Sequence, residues 1–351
     1  MWRSVGIAVV AFAAVMGCNG GSSDSSPSTP SSTGGGATAV KKKDLKITMI
    51  AKSNDNPVFQ SAKAGAMAAA GDLGKANGVT ITVDWQTPDK EDGQEQAKRI
   101  ASAVNNGADC ILISCSDAGK VTGAINDAVA KGVQVMTFDS DAPNSKRFAF
   151  YGADDADAGK EVMDELAGIA KSQPINVAIL AGNENAPNLQ KRSQAVIDEA
   201  KRFPNVKIVG TFHHIESTQD ATAEVIKDDN AHPEINAWAM VGGWPLFGPG
   251  LSKLSPASYK IVAIDALPAE LPYVDSGIAP VLLAQPVYDW GYKSVGIIVD
   301  KLILGKEVPT ITKMDLVKVT KDSLGDWAHT LQKWGLPGID PKYLALPVSK
   351  K

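Results

Sequence analysis

Residues that can hydrogen-bond to hydroxyl groups recur directly after short apolar runs along this chain. Asp139 and Asp265 each end such a run, and Gln285 follows another one further along. A carboxylate accepts hydrogen bonds from several hydroxyl groups, and a side-chain amide both accepts and donates them. This combination predicts a site for a neutral sugar or polyol rather than for an anion.

Other polar or small residues occupy the corresponding position after the remaining apolar runs. They are residues 52–56, Ser114, Ser116, Asp117, Ser140, Asp154, Asp155, residues 183–185 and residues 242–244. An alternative interpretation is that an Asp at such a position only caps the helix that follows. That alternative stays open for Asp117, Asp154 and Asp155, because each lies shortly before a helical segment. It applies less to Gln285, since glutamine is a poor helix cap.

The apolar runs themselves are short and lack polar alternation, which is typical of strands in a parallel sheet covered on both faces. They are residues 47–51, 79–83, 110–113, 133–138, 148–151, 177–180, 206–209, 237–241, 261–264 and 281–284. Ala-rich segments with helical spacing, such as Val121, Ile125 and Val129, lie between them. The repeated β-α order predicts an α/β fold with doubly wound parallel sheets. Ligands of such sheets bind beyond the carboxyl ends of the strands.

Composition excludes several classes of protein. The 351 residues include 35 Lys+Arg and 39 Asp+Glu, a net charge of −4, so no electrostatic footprint for nucleic acid is present. Three cysteines cannot form a disulfide scaffold in a chain of this length. Cys110 and Cys115 lie on one extended run about 16 Å apart, too far for a disulfide between them. The fold must therefore depend on an ordinary apolar core.

Sequence motifs for catalysis and for metal binding are absent. The chain has no Gly-x-Ser-x-Gly elbow, no P-loop and no dinucleotide-binding glycine pattern after its first strand. His213 and His214 are adjacent, so on a strand they point to opposite faces. His232 precedes a proline in a turn, and His329 stands alone near the end of the chain. We therefore expect no metal, no cofactor and no enzymatic activity.

The N-terminal residues predict an export signal. After Arg3, the apolar run 5–16 is shorter than the roughly 20 residues that a membrane-spanning helix needs, which is typical of a signal peptide. Residues 15–18 resemble the bacterial lipoprotein signal, which implies removal of residues 1–17 and diacylation of Cys18. The alternative is an ordinary signal with Cys18 incidental. Residues 18–43 are rich in Gly, Ser, Thr and Pro, which predicts a flexible tether.

Several short motifs appear together in a fixed order. They are Asn56-Pro57 with Phe59, the strand end 137–139, the turn 231–235, Ile264-Asp265 and Ala284-Gln285. With them, residues 46–318 resemble the ribose-binding-protein-like group of type I periplasmic binding proteins, the solute receptors of bacterial sugar ABC importers. The resemblance implies two doubly wound lobes joined by three crossovers, with the sugar in the cleft between them. The first lobe would comprise residues 44–153 and 286–315, and the second residues 154–285 and 316–351.

The resemblance also implies which residues contact the ligand. From the first lobe these are Asn56, Phe59, Ser114, Asp139 and Ser140, and from the second Asp155, Arg192, Glu216, Gly242 or Trp244, Asp265 and Gln285. Asp139 and Asp265 would accept hydroxyl hydrogens, and Arg192 would donate two hydrogen bonds. Phe59 or Trp244 would stack on the C–H face of the sugar. Alternatively, Arg192 is an exposed helix arginine, and the two aromatic residues belong to the lobe cores.

Three positions depart from the pattern of ribose binders. Ser140 stands where those proteins usually carry an arginine, Val58 replaces the first of two aromatic residues, and Gly242 replaces an asparagine. A site without that arginine and that amide cannot make the same hydrogen bonds, and unmatched buried polar groups are costly. We therefore expect that the ligand is not ribose bound as it is in those proteins.

As a whole, the resemblance implies a monomeric, lipid-anchored solute-binding protein of the bacterial cell envelope that delivers a small sugar or polyol to an ABC permease. One alternative is a sensory protein that presents a sugar, a nucleoside or a signalling molecule to a chemoreceptor or histidine kinase. A second alternative is a secreted hydrolase that uses the carboxylates of Asp139, Asp141 and Asp265, because paired carboxylates can cleave glycosides.

Overall fold

The first sheet is formed by the five leading apolar runs and one short strand from much later in the chain. The computed structural model describes residues 44–255 and 259–349, which form two six-stranded sheets. The strands of the first sheet are β1 (Asp44–Ile50), β2 (Thr80–Trp85), β3 (Cys110–Ile113), β4 (Gln134–Phe138), β5 (Ala149–Gly152) and β11 (Ile311–Lys313). Their order is β2-β1-β3-β4-β5-β11, with every neighbouring pair parallel.

The second sheet repeats this arrangement. Its strands are β6 (Ile175–Leu180), β7 (Val206–Phe212), β8 (Ala237–Met240), β9 (Lys260–Ile264), β10 (Val281–Ala284) and β12 (Val317–Val319). Their order is β7-β6-β8-β9-β10-β12, and only the edge strand β12 is antiparallel to its neighbour. The predicted α/β fold with two doubly wound sheets is therefore confirmed. In both sheets the strand order reverses beside the first strand, β1 or β6, which is where ligands of such sheets bind.

Helices cover both faces of each sheet. They are α1 (Pro57–Asn77), α2 (Gly93–Asn105), α3 (Ala118–Ala130), α4 (Asp155–Ala170), α5 (Pro187–Ala200), α6 (Thr218–Ala231), α7 (Leu271–Ser276), α8 (Val287–Leu302), α9 (Leu324–Lys333) and α10 (Pro341–Leu344). Asp117 and Asp154 cap α3 and α4 by accepting from backbone N–H groups, so the capping interpretation holds for both. It does not hold for Asp155, which belongs to α4 itself. We call each sheet with its helices a lobe.

The C-terminal region differs in part from the sequence prediction. β11 and β12 were not predicted, because each has only three residues, mostly exposed, and so lacks an apolar run. The predicted packed tail contains α9 and α10, and Trp327 and Tyr343 from these helices lie in the core of the second lobe. Trp334, directly after α9, stacks on Tyr288 of α8 with ring centroids 5.7 Å apart.

The chain passes between the sheets three times, after β5, after β10 and between β11 and β12. This agrees with the order that the predicted lobes require, while the lobe boundaries given above stay predictions. All described residues belong to one unit that spans residues 41–351. Cys110 and Cys115 are free and buried, as their spacing predicts. Within the described ranges, no helix combines the length and the apolarity that crossing a membrane requires.

Two glycines let α1 and α8 pack with their backbones in contact. A Cβ atom at Gly65 would lie 2.0 Å from the carbonyl oxygen of Tyr288, and one at Gly291 would lie 1.9 Å from that of Ala62. Both distances are far below van der Waals contact. Because the obstacle is backbone on both helices, no side-chain rotation can relieve it.

We expect Gly65→Ala to push α1 away from α8 and to lower the free energy of unfolding by about 1–3 kcal/mol, the usual cost of an overpacked core. Gly71→Ala is the matched control, because this position of α1 has open space around it. There, alanine should stabilise the helix by up to about 1 kcal/mol. Urea unfolding of both variants checks this, and equal effects would contradict it.

Candidate functional site

The carboxyl ends of the strands in the two lobes face each other across a cleft. The predicted site residues that line it are Asn56, Phe59, Asp139, Arg192, Glu216, Gly242, Trp244, Asp265 and Gln285. Residues outside the predicted set of ligand contacts also line it: Lys52, Val58, Asn188, Leu189 and Trp290. Lys52 lies at a strand end that the sequence indicates, and Val58 is one of the positions that depart from ribose binders. The structure therefore brings residues from both lobes together at the edge where parallel sheets bind ligands.

Asp139 and Asp265 occupy equivalent positions in the two lobes. Asp139 follows β4 and Asp265 follows β9, and both have a positive φ, 55° and 87°. This left-handed backbone is unfavourable for most side chains, though Asp tolerates it better. Backbone hydrogen bonds of 3.0 Å to the carbonyls of Tyr151 and Leu283 hold the two residues in place. Such conformations concentrate at functional sites, which supports a ligand-binding role for both aspartates.

Arg192 connects the polar groups of the second lobe. It lies on α5, is only 2% exposed, and donates from Nε to Asp155 Oδ1 at 2.9 Å. Its Nη2 donates to Gln285 Oε1 at 2.9 Å, and Gln285 Nε2 in turn donates to Asp265 Oδ1 at 2.8 Å. Burial alone would lower the pKa of Arg192, but the carboxylates of Asp155 and Asp139 raise it above its ordinary value. The interpretation of Arg192 as an exposed helix residue is therefore wrong.

Asp139 is the corresponding acceptor of the first lobe. Its Oδ2 accepts from Ser114 Oγ at 2.7 Å, and its Oδ1 accepts from Asn188 Nδ2 of the opposite lobe at 3.2 Å. Burial raises the pKa of Asp139, and the charges of Lys52 and Arg192 oppose that effect. The carboxylate can thus exchange its contact with Asn188 for one with a ligand hydroxyl while Ser114 still orients it.

Lys52 places a buried positive charge between the lobes. It follows β1 and is 2% exposed, and its Nζ lies 3.4 Å from Asn188 Oδ1. The same atom lies 3.6 Å from Glu216 and 3.9 Å from Glu91. Burial would lower the pKa of Lys52, but these two carboxylates raise it above its ordinary value. Lys52 is therefore a charged donor within the cleft.

Aromatic residues form the apolar walls of the cleft. Phe59 stacks on Trp290 with centroids 6.0 Å apart and meets Phe138 edge-on at 6.5 Å. In the opposite wall, a Cβ atom at Gly242 would lie 2.5 Å from the ring of Trp244. Glycine at this position therefore makes room for the indole. Phe59 and Trp244 belong to the lobe cores and also line the cleft, so the two interpretations of these residues are compatible.

Ser114, Ser140 and Asp155, predicted to face the ligand, lie behind the lining of the cleft. Ser114 bonds to Asp139, and Asp155 bonds to Arg192. Ser140 is fully buried, and its Oγ has no hydrogen-bond partner. The reason is directional: Asp139 has a left-handed backbone, so the chain turns there and the side chains of these two neighbours leave it on different sides. Asp139 takes the side of the cleft, so its neighbour Ser140 does not.

The unpredicted residues had different sequence signals. Lys52 directly follows an apolar run, so the strand-end rule covers its position, but a cation did not match the expected set of carboxylates and amides. Asn188 lies one helical turn before Arg192 on α5, where spacing puts both on one face. Trp290 lies on the buried face of α8, and its approach to the cleft depends on tertiary packing.

The cleft is closed and narrow. Side chains from opposite lobes touch, as in the contacts of Asn188 with Lys52 and Asp139. The remaining cavity is about 20 Å³, whereas pockets for small ligands typically measure roughly 300–1,000 Å³. A monosaccharide can therefore enter only when the lobes move apart. Across residues 44–255 and 259–349, no cluster of His, Cys, Asp and Glu could hold a metal ion.

Comparison with protein families gives a match over most of the chain. Residues 47–307 match the family described as periplasmic binding protein domain. The chain is 29% identical over 120 residues to the ribose import binding protein of Bacillus subtilis (strain 168), covering 34% of this chain and 37% of that protein. It is 27% identical over 167 residues to the D-apiose import binding protein of Actinobacillus succinogenes, covering 46% and 50%. The matched regions thus span half or less of these relatives.

Solved structures share the fold. One of them is an ABC transporter solute-binding protein from Burkholderia graminis in complex with D-arabinose. It superposes with a TM-score of 0.73 at 24% identity, covering 81% of this chain and 97% of that one. The match extends over both lobes and shows that their arrangement is shared.

Proposed function

The chain belongs to the periplasmic binding protein family, and from this premise we propose that it binds a small sugar or polyol between its lobes and delivers it to an ABC permease. The observation that carries the proposal is the pair of buried aspartates, Asp139 and Asp265, facing one cleft from equivalent strand ends. Donors and aromatic walls lie beside them in the same cleft. This arrangement suits a ligand with hydroxyl groups around its edge and C–H groups on its faces.

The polar contacts that Asn188 makes across the closed cleft can be exchanged for contacts with a sugar. Asp139 and Asp265 would accept from hydroxyls, while Arg192, Asn188 and Lys52 would donate to hydroxyl or ring oxygens. The contacts of Asn188 with the first lobe would open to admit the ligand. A ligand that contacts both lobes then favours the closed arrangement, because it binds that arrangement better than the open one.

The positions of the carboxylates favour binding of an unchanged ligand over its hydrolysis. Of the three carboxylates that the hydrolase alternative uses, Asp141 is engaged elsewhere, since it accepts from Arg147 Nη2 at 2.6 Å and from Thr137 at 2.6 Å. It does not line the cleft. We therefore propose that the ligand leaves the protein unchanged and that the chain is not an enzyme.

A thermal-shift screen of the protein comprising residues 44–351 tests this function. Pentoses come first in the screen, because the two relatives are named for the import of ribose and D-apiose and one structural neighbour holds D-arabinose. A true ligand at 100 times its Kd should stabilise the fold by about 2.7 kcal/mol, which raises the Tm of a fold of this size by about 4 °C. Hexoses, cyclitols, nucleosides and peptides complete the screen. Stabilisation by a nucleoside or a peptide, with none by any sugar or polyol, would contradict the proposal.

We further propose that the protein works outside the cytoplasm as a monomer tethered through a lipid on Cys18. Residues 1–43, which carry the predicted signal, lipobox and tether, lie outside the described part of the chain. The family places the protein outside the cytoplasm, and the lipobox pattern at residues 15–18 supports the anchor. Intact-mass measurement of the membrane-extracted protein tests it, since the mature chain should begin at a diacylated Cys18.

A further inference from the structure

Two carboxyl groups from opposite lobes meet at the edge of the cleft. Glu91 lies between β2 and α2, and Glu216 lies between β7 and α6. Their side chains are only 9% and 3% exposed. Asn183 bonds to both, from Nδ2 to Glu91 Oε2 at 2.9 Å and from its backbone N–H to Glu216 Oε1 at 3.3 Å. The two carboxyl groups are thus held together when the lobes are closed.

One carboxyl oxygen of this pair has no hydrogen-bond partner. Glu91 Oε1 is buried and has no hydrogen-bond donor. Its nearest cation, Lys52 Nζ, is 3.9 Å away, which is beyond hydrogen-bond length. Glu216 shares two partners with Glu91, Asn183 and Lys52, which places the two carboxyl groups side by side. A proton on the Glu91 carboxyl group would supply the missing hydrogen, because the O–H could then donate to Glu216.

We propose that closing the lobes binds one proton between Glu91 and Glu216, so that the ligand and a proton bind to this protein together. The proton-binding pair follows from the contacts of Glu91 itself. Only its linkage to a sugar rests on the function proposed above.

The surrounding charges favour this proton. Lys52 is the cation that both carboxyl groups face, and it also acts on Asp139. The titratable residues that line the adjoining groove are Glu184, His213 and His214. Burial lowers the pKa of His214, and its Nδ1 is already bonded to the Ile215 carbonyl. The positive charge of Lys52 is therefore shared among several carboxylates. A negative charge on Glu91 beside that of Glu216 is disfavoured as a result.

The sign of the pH dependence follows from the pKa of Glu91. Burial, and then the charge of Glu216, raise it above its ordinary value in the closed protein. A group whose pKa is higher in the closed form stabilises that form while it is protonated. This stabilisation is complete below the ordinary pKa of a glutamate and is lost as the pH rises through the raised pKa of the closed form.

Titration with D-arabinose at several pH values tests the linkage in the full-length chain. We expect affinity to fall as the pH rises above the ordinary glutamate range, by at most about tenfold per pH unit for one linked proton. Calorimetry near pH 6.5 in buffers of different ionisation enthalpy should show uptake of about one proton. Glu91→Gln should abolish both effects, since the amide still accepts from Asn183 and donates to Glu216 without titrating. Glu184→Gln, in the exposed rim of the same groove, is the control and should keep the wild-type pH profile.

A second measurement needs no sugar. A ¹³C NMR titration of the glutamate carboxyl groups should show one resonance with a pKa raised above the ordinary glutamate range, and this resonance should be missing from Glu91→Gln. A Glu91 resonance that titrates below pH 5 overturns the proposal, as does a pH dependence that survives in Glu91→Gln. If D-arabinose and every other sugar fail to bind, the function proposed above is wrong, and the NMR titration still decides whether the proton is bound.

Discussion

Replacing Arg192 with methionine is expected to abolish sugar binding and to destabilise the second lobe. The guanidinium joins Asp155, Gln285 and the backbone of the second lobe, and it is almost completely buried. Methionine would leave the Asp155 carboxylate buried without a cation, which costs about 3–5 kcal/mol. Gln285 would lose the bond that orients it toward Asp265. We expect affinity for the sugar identified by thermal shift to fall more than a hundredfold.

Calorimetric titration and urea unfolding measure the two effects separately. Lys191→Met, at the exposed neighbouring position of α5, is the control and should change neither quantity by a measurable amount. The double variant Arg192→Met with Asp155→Asn removes the unpaired charge, so it should recover much of the stability while binding stays lost. Affinity within threefold of wild type in Arg192→Met would remove Arg192 from the site.

The central strands of the fold could be predicted from sequence because strands covered on both faces leave continuous apolar runs. The same logic fails at the sheet edges. β11 and β12 are short and exposed, so their pairing depends on the neighbouring strands β5 and β10 rather than on their own residues. Asp117 and Asp154 show a second limit: an acidic residue after a strand can serve the next helix as well as a ligand, and only the structure separates the two roles.

The sequence predicted which positions lie near the cleft, but not the direction in which each side chain points. Strand-end logic located Asp139, Asp265 and Gln285, because the carboxyl ends of parallel strands converge whatever the loops do. It could not show that Ser140 turns away from the cleft. It also could not show that Lys52 meets Asn188, since that contact joins two lobes whose approach depends on the whole fold. The contacts across the cleft therefore could not be predicted from the sequence.

The positive φ of Asp265 allows its two contributions to be separated by substitution. Its carboxylate accepts from Gln285 Nε2 at 2.8 Å and from the Gly243 N–H at 3.3 Å. Its backbone, at φ 87°, is unfavourable for residues with a Cβ, though least so for Asp and Asn. Asp265→Ala loses the carboxylate acceptor, and alanine also tolerates a positive φ less well than Asp does. Asp265→Gly loses only the acceptor, because glycine adopts a positive φ freely.

We expect Asp265→Ala and Asp265→Gly to lose sugar affinity to a similar extent, more than a hundredfold. Their stabilities should differ, with the alanine variant lower by about 1–2 kcal/mol because it alone carries the backbone strain. Asp265→Asn keeps the backbone tolerance and one acceptor, so its affinity should lie between those variants and wild type. Asp198→Ala, an exposed carboxylate on α5, is the control for loss of charge.

If Asp265→Ala binds the sugar as well as wild type does, the paired aspartates are not the centre of the site. If the alanine and glycine variants are equally stable, the positive φ stores no strain.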